Sequence, residues 1–580
     1  MIEKIKSPKD LKKLNIEELN ILADEIRKAL IKKMSITGGH FGPNLGSIEL
    51  EIAMHYVFDS PNDKFVFDVS HQSYTHKILT GRSDAFFNED KYNTVSGYTN
   101  PKESEHDMFS IGHTSTSISL SLGLVKARDI LNQKFNVVTV IGDGSMSGGE
   151  ALEGLNVCGN INSNMIIIFN DNHMSIAENH GGMYEGFKEL RKTLGKSKNN
   201  LFKSFNLDYI YLDNGNNISE LIDVLKKVKD IDHPIVVHIN TEKGHGYEPS
   251  LKVKSDWHYT MPFEISTGKQ NIPYIRESYS EITGNILKNR IDKKDPIYVV
   301  AAALPFNLGF SEDDRLNKYK DNFTDVGIAE ETAVAMISGL AKGGVKPVFA
   351  TGASFLQRTF DQIQQDLCLD SNPGTILISG ASIRGARDCT HLGIYLTPML
   401  SNIPNLLVLT PTSKAEYIAM LNWSLDQTTT PVAIIIPSGG IKEDERSVPA
   451  NYYDISNEIV VNGTNIAIIG VSDFYFDAKI ILDKLHEKGL NPTLINPRFV
   501  SGLDTKTLNG LKDYKAIITI EGTCLDGGYG QKVSSYMSKF RTPVYNFGLK
   551  KEIIDRISLD NALKNNHMTN DEIVEFILNL

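Results

Sequence analysis

Apolar residues fall along this chain in short β-rich runs separated by helix-length stretches, a pattern of alternating strands and helices. In a first block the runs are Phe65–Val69, Val137–Ile141, Met165–Asn170, Tyr209–Leu212 and Ile235–Asn240. A second block follows at Ile297–Ala302, Pro347–Ala350, Thr375–Ser379, Leu406–Leu409 and Val432–Ile436, and a third at Asn465–Val471, Asn491–Ile495 and Ala516–Glu521. Pro262–Pro273 lacks helical periodicity and reads as a linker, and the charged, proline-containing stretch Lys442–Tyr453 marks a second boundary. Lys4–Lys13 predicts a solvated first helix, and Glu330 opens a helix running to about Lys342. These signals predict an α/β chain of three domains with mainly parallel sheets, at residues 1–262, 274–441 and 454–580.

Composition narrows the function. A length of 580 residues exceeds what one core serves, and 41% hydrophobic with 23% charged residues is ordinary for a soluble globular protein. The net charge of −11 offers no basic footprint for nucleic acid. No apolar run approaches the roughly 18 to 20 residues of a membrane span, and no signal peptide opens the sequence. Cys158, Cys368, Cys389 and Cys524 are scattered, without zinc-site spacing or a disulfide framework. A cytoplasmic location, with neither membrane nor nucleic acid as partner, is expected.

The chemistry concentrates between two adjacent runs. Residues 142–150 read GDGSMSGGE, and residues 170–172 read NDN after the next run. The segment between them, Gly149–Gly159, is helix-sized, which makes a βαβ unit. Its strands end on one edge of the sheet, so Asp143 and Asn172 reach one crevice. A carboxylate, an amide oxygen and nearby backbone carbonyls are hard donors suited to Mg²⁺. Gly142, Gly144, Gly148 and Gly149 let backbone N–H groups approach a diphosphate before the helix begins. Gly-Asp-Gly alone also makes ordinary turns. The asparagine 29 residues beyond the aspartate gives the pattern its specificity, and together they resemble the thiamine diphosphate binding motif.

The resemblance extends to residues 38–46 (GGHFGPNLG), 68–82 (DVSHQSYTHKILTGR), 112–117 (GHTSTS) and 355–358 (FLQR), which look like the 1-deoxy-D-xylulose-5-phosphate synthase family. That family of transketolase-like thiamine diphosphate enzymes implies a diphosphate-binding domain, a pyrimidine-binding domain and a C-terminal transketolase-type domain, in this order. It implies Mg²⁺ held by Asp143, Asn172 and the Met174 carbonyl, with Ser145, His71, His113 and Lys243 on the cofactor. Glu330 would bond the aminopyrimidine ring, on which Phe355 stacks. His40 and His258 would handle protons near substrate, and Arg358 and His391 would contact the acceptor. The implied reaction decarboxylates pyruvate and adds the two-carbon unit to an aldehyde. A homodimer is implied, because dimerisation completes the cleft between the first two domains. Ketol transfer of the transketolase type, or a silent thiamine diphosphate-binding paralogue, are the alternatives.

The acceptor end departs from the family. Arginines that would grip the phosphate of glyceraldehyde 3-phosphate fall at Gly380 and Ser438, and an expected tyrosine falls at Gly352. Arg384 and Arg387, in the same loop as Gly380, are candidates to replace them. Loss of two charge-assisted contacts of about 1.5 to 3 kcal/mol each weakens such an acceptor several hundredfold or more if nothing compensates. The sequence therefore predicts a carboligase whose acceptor is glyceraldehyde 3-phosphate or a different aldehyde. The stretch from Gly181 to Asn206 is also shorter than its counterpart in the family.

Overall fold

The computed structural model describes residues 1–272, 277–444, 446–454 and 456–580. Pro273 and Tyr274, at the junction of the expected linker and second domain, lie outside the described residues, as do Glu445 and Ile455. The chain forms two compact units, Met1–Tyr274 with Gly327–Ala329, and Ile275–Val326 with Glu330–Leu580.

The first unit is built on five parallel strands: β1 (Lys64–Phe67), β2 (Val137–Gly142), β3 (Met165–Asp171), β4 (Asp208–Leu212) and β5 (Pro234–Asn240), in the order β1-β2-β3-β5-β4. Every residue of β3 is buried, which is why its sequence is a continuous apolar run instead of an alternating one. Helices cover the sheet. The long one, Ile16–Thr37, is opened by a reciprocal cap between Asn15 and Glu18 and buries Leu22, Ile26 and Leu30.

One expectation is corrected here and another gains detail. Lys4–Lys13 is not one solvated helix but two short turns, Ile2–Lys4 and Pro8–Leu11. Pro8 starts the second turn, where its missing N–H costs nothing, and Ile2, Ile5 and Leu11 are buried. The residues after Pro262, expected as a linker, run up to the boundary between the two units, and their start is anchored. Phe263 is buried, bridges to Gln270, donates from its N–H to the Ser35 carbonyl at 3.0 Å and packs on Trp257 at 5.0 Å. The composition is loop-like, but one aromatic residue anchors it to the core.

The second unit carries two sheets. The six-stranded one is wholly parallel: β6 (Ile297–Ala301), β7 (Phe323–Asp325), β8 (Lys346–Gly352), β9 (Thr375–Ser379), β10 (Leu407–Leu409) and β11 (Val432–Ile435), ordered β10-β11-β9-β8-β6-β7. The helix Glu330–Lys342 buries Ala333, Val334 and Ile337 in the same apolar cluster as Phe349 of β8. The other sheet has β12 (Glu458–Val461), β13 (Ile466–Gly470), β14 (Thr493–Asn496), β15 (Ala516–Cys524) and β16 (Val544–Leu549), ordered β12-β14-β13-β15-β16, with only the edge strand β12 antiparallel. Strands β7, β12 and β16 are absent from the sequence reading. The first two are short, and β12 and β16 are only partly buried, so neither length nor continuous apolarity marks them.

Candidate active site

In the first unit β2 and β3 lie side by side with Gly142 opposite Asn170, so Asp143 and Asn172 leave the sheet at one edge. The intervening loop is shaped by its glycines. A Cβ on Gly148 would stand 2.0 Å from Ser115 Oγ, whereas one on Gly142 would meet nothing within 4 Å, so open space lies before the Gly142 backbone. Ser145, buried beside Asp143, accepts a hydrogen bond from Ser115 Oγ on its carbonyl at 2.8 Å.

Asp143 is 1% exposed, and burial together with the neighbouring Asp171 carboxylate pushes its pKa above the usual carboxylate range, so it holds its proton more tightly than a free carboxyl. Among the described residues its side-chain partner is an amide: Asn179 Nδ2 donates to Oδ2 at 2.7 Å. Asn172 Oδ1 accepts from the Met174 N–H at 3.3 Å, which folds the loop so that the Met174 backbone lies beside Asn172. A buried carboxylate with so little compensation is costly. A divalent cation bound by this carboxylate, the amide oxygen and a backbone carbonyl would relieve that cost, and the donor set fits Mg²⁺. Lys243 Nζ donates to the Ser175 carbonyl at 2.5 Å, and burial lowers its ammonium to about 8.

The histidines gather. Pairing of Gly39 with Thr260 and of His40 with Tyr259 brings His258 to His40, a link that two-residue strands cannot announce in sequence. Ring centroids of His40 lie 5.1 Å from His71 and 5.9 Å from His258, and His71 stacks on His258 at 5.2 Å. Burial holds His258 well below its ordinary range, with Lys243, His71 and His40 acting in the same direction, so this ring is neutral. His113 lies in the same unit, one residue before the Thr114–Ser115 turn, where the Ser115 N–H donates to Asp68 at 2.8 Å.

In the second unit Glu330 opens its helix 3% exposed. Burial raises its carboxyl to about 7, against the opposing pull of Arg358, whose Nη1 lies 3.5 Å from Oε2. Among the described residues no hydrogen bond satisfies that buried oxygen. Arg358, expected on the acceptor, is thus brought to Glu330. Phe355 meets the His391 ring edge-on at 5.4 Å, and His391 Nδ1 lies 3.2 Å from Asp388 Oδ1. Arg384, a candidate replacement for a phosphate arginine, is instead committed to Asp477 through Nη2 at 2.7 Å. The Arg387 carbonyl accepts from the Arg556 N–H at 2.8 Å.

Sequence reasoning missed several residues around Asp143. Asn179 and Tyr184, whose hydroxyl donates to the Asp143 carbonyl at 3.1 Å, flank the start of the shortened stretch. Asp171 is held by His238 Nε2 at 3.0 Å and by Arg191 Nη1 at 2.5 Å, and Tyr209 closes the network on His238 at 2.7 Å. The only signal for these was their place next to the NDN motif. Val69, Ser70, Ser115 and His173 all hold positive φ, between 58° and 78°, and all lie in or beside the motif segments. For a β-branched residue such as Val69 that conformation is strained, and strain of this kind collects at working sites.

Residues 277–442 match the family profile described as transketolase, pyrimidine binding domain, and residues 456–573 that of the transketolase C-terminal domain. Fold and site together therefore define a transketolase-class α/β chain. Residues 2–199 and 185–241 match the profile described as 1-deoxy-D-xylulose-5-phosphate synthase. The 1-deoxy-D-xylulose-5-phosphate synthase of Clostridium beijerinckii is 37% identical over 100% of this chain and 99% of its own. That of Natranaerobius thermophilus is 38% identical over 96% and 93%. The chain belongs to the 1-deoxy-D-xylulose-5-phosphate synthase family. Among solved structures, the transketolase of Campylobacter jejuni is 14% identical over 98% of this chain and 100% of its own, with a TM-score of 0.44.

Proposed function

We propose that the chain is a thiamine diphosphate- and Mg²⁺-dependent carboligase that takes pyruvate as donor and an aldehyde as acceptor, working as a cytoplasmic homodimer. Family membership supports the reaction class, and four free cysteines fit a reducing compartment. The observation that carries the cofactor reading is the buried Asp143 carboxylate beside Asn172 at the ends of adjacent parallel strands.

Thiamine diphosphate, when bound, supplies the electron sink that lets pyruvate lose CO₂ and its remaining two carbons join an aldehyde. Asp143, Asn172 and the Met174 carbonyl would hold the metal, while the backbone of Gly142–Ser145 and Lys243 would face the diphosphate. Glu330, neutral up to about pH 7, offers a proton from a buried oxygen to a ring nitrogen. The neutral His258 ring can donate at one nitrogen and accept at the other, as a proton carrier near substrate requires.

Calorimetric titration of Mg²⁺-supplied apoprotein with thiamine diphosphate tests the reading, with Asp143→Asn expected to weaken uptake by about 10- to 100-fold. No uptake by the unsubstituted chain refutes it. Labelled CO₂ released from pyruvate separates carboligation from ketol transfer, and thiamine C2 proton exchange above the solution rate excludes a silent paralogue.

A further inference from the structure

Residues 92–116 of the first unit form neither helix nor strand. So long a stretch without regular structure is uncommon inside a compact unit, and one that is held in place usually serves a site. This one is held by buried charge. Glu103 Oε2 accepts from Lys77 Nζ at 2.6 Å. Asp107 receives both ends of the Arg82 fork, at 2.7 and 2.8 Å, together with His76 Nε2 at 2.9 Å. His76, Lys77 and Asp107 are buried, so both partners of these pairs have lost their hydration and the net gain in stability is small. What a two-pronged arginine contact fixes is orientation.

The residue so oriented is Tyr98, which lies between two anchored neighbours. The Ser96 N–H donates to Glu103 Oε1 at 2.6 Å, and the Thr99 N–H donates to Ser70 Oγ at 2.9 Å, whose own hydroxyl donates to the Ile111 carbonyl at 2.8 Å. Between these anchors the Tyr98 ring meets the His40 ring at 65°, with centroids 5.5 Å apart. His71, 5.1 Å from His40 on another side, follows Ser70 directly, so the loop that brings Tyr98 and the turn that brings His71 are joined at Ser70. Tyr259 also meets His40, at 5.1 Å, but it is 56% exposed and faces water on its outer side. Rings set edge to face leave an imidazole little room to turn about its Cβ–Cγ bond.

We propose that Tyr98 is a positioning residue for His40: its ring fixes the direction in which the imidazole points its nitrogens, and the buried ion pairs of Glu103 and Asp107 fix the ring. That His40 passes protons at substrate rests on the carboligase reading above, whereas the contact between the two rings does not.

Two measurements on the full chain test it. Ring ¹⁵N shifts of His40, assigned by their loss in His40→Gln, report the imidazole without turnover. Tyr98→Leu, which keeps bulk but not a flat ring, is expected to move them while those of the half-exposed His233 stay in place, and Tyr98→Phe to leave them where they are. Glu103→Gln, which keeps the tyrosine and loosens its anchor, should move the same signals, and it carries the test should Tyr98→Leu not fold. In turnover with Mg²⁺, thiamine diphosphate, pyruvate and either D-glyceraldehyde or its 3-phosphate, kcat of Tyr98→Leu is expected to fall about tenfold or more, with KM for pyruvate within about twofold. Thiamine C2 proton exchange should stay as it was, and Tyr98→Phe should recover the loss. Unmoved His40 signals, an unchanged kcat in Tyr98→Leu, or a Tyr98→Phe chain as impaired as Tyr98→Leu overturns the proposal. Shifted His40 signals in a chain whose unsubstituted form releases no CO₂ from pyruvate with either aldehyde uphold the positioning and overturn the carboligase reading instead.

Discussion

Replacing Glu330 by Gln is expected to make the apoprotein more stable relative to the unsubstituted chain as pH rises, while removing the proton that the proposed function assigns to this carboxyl. The carboxyl is 3% exposed and moves from its ordinary 4.5 to about 7, chiefly through burial. Between those two values the folded chain keeps a proton that the unfolded chain has released. Stability therefore falls as pH climbs through this window, and the cost is complete above pH 7. At 1.36 kcal/mol per pH unit the cost is about 3 kcal/mol. Gln fits the same space without ionising, so any constant effect of losing the Arg358 pair cancels when the two chains are compared across pH. Thermal unfolding at pH 5 and pH 8 reads the difference, and the Gln variant should gain several degrees on the unsubstituted chain between the two. In the same variant, thiamine C2 proton exchange should fall by about 10² to 10⁴. A Tm difference that does not change with pH would falsify the buried neutral carboxyl, and unchanged C2 exchange would remove Glu330 from the chemistry.

Two further outcomes follow from the packing. Asp171→Asn removes the carboxylate that neutralises Arg191 and bonds His238, leaving a part-buried cation unpaired. A loss of about 3 to 5 kcal/mol is expected in denaturant unfolding, and a loss under about 1 kcal/mol would show that water reaches this network. Ile337→Ala opens a cavity where Ile337 is 0% exposed against Phe349 and should cost about 2 to 5 kcal/mol. An unchanged midpoint would contradict the packing of the helix Glu330–Lys342 on its sheet.

What could be read from sequence follows the physics of each element. Strands β2, β3, β5 and β9 are buried over nearly their whole length, so their apolar runs declared them to within one residue at each end, whereas β15 runs three residues past the expected Glu521. Gly142 and Asn172 were legible because glycine spacing and strand ends are local facts. The His40–His258 association depends on a two-residue antiparallel pair joining segments far apart in sequence, and no periodicity survives in so short a strand. The partners of Arg358 and Arg384 were illegible for another reason. A long flexible side chain takes whichever carboxylate the tertiary structure presents, and Glu330 and Asp477 are 28 and 93 residues away from them.

That difference bears on how such a chain can change its substrate while keeping its reaction. The proposed diphosphate loop is constrained through its backbone: a Cβ at Gly148 would collide with Ser115 Oγ at 2.0 Å, and Ser115 itself holds φ 78°. Substitution there disturbs the loop that carries Asp143, so the proposed cofactor binding and the fold would be altered together. At the other end, Ser438 and Arg384 sit in loops beyond the strand ends, and exchange of either side chain leaves β9 and β11 and their pairing untouched. Charge at that edge is set by side chains alone, in a cavity where two carboxylates already balance two cations. Under the proposed function, an acceptor preference set at that edge would change through side chains outside the strands, with Arg384 unable to go without unpairing Asp477, whereas any change at Asp143 or Glu330 falls directly on a buried carboxylate.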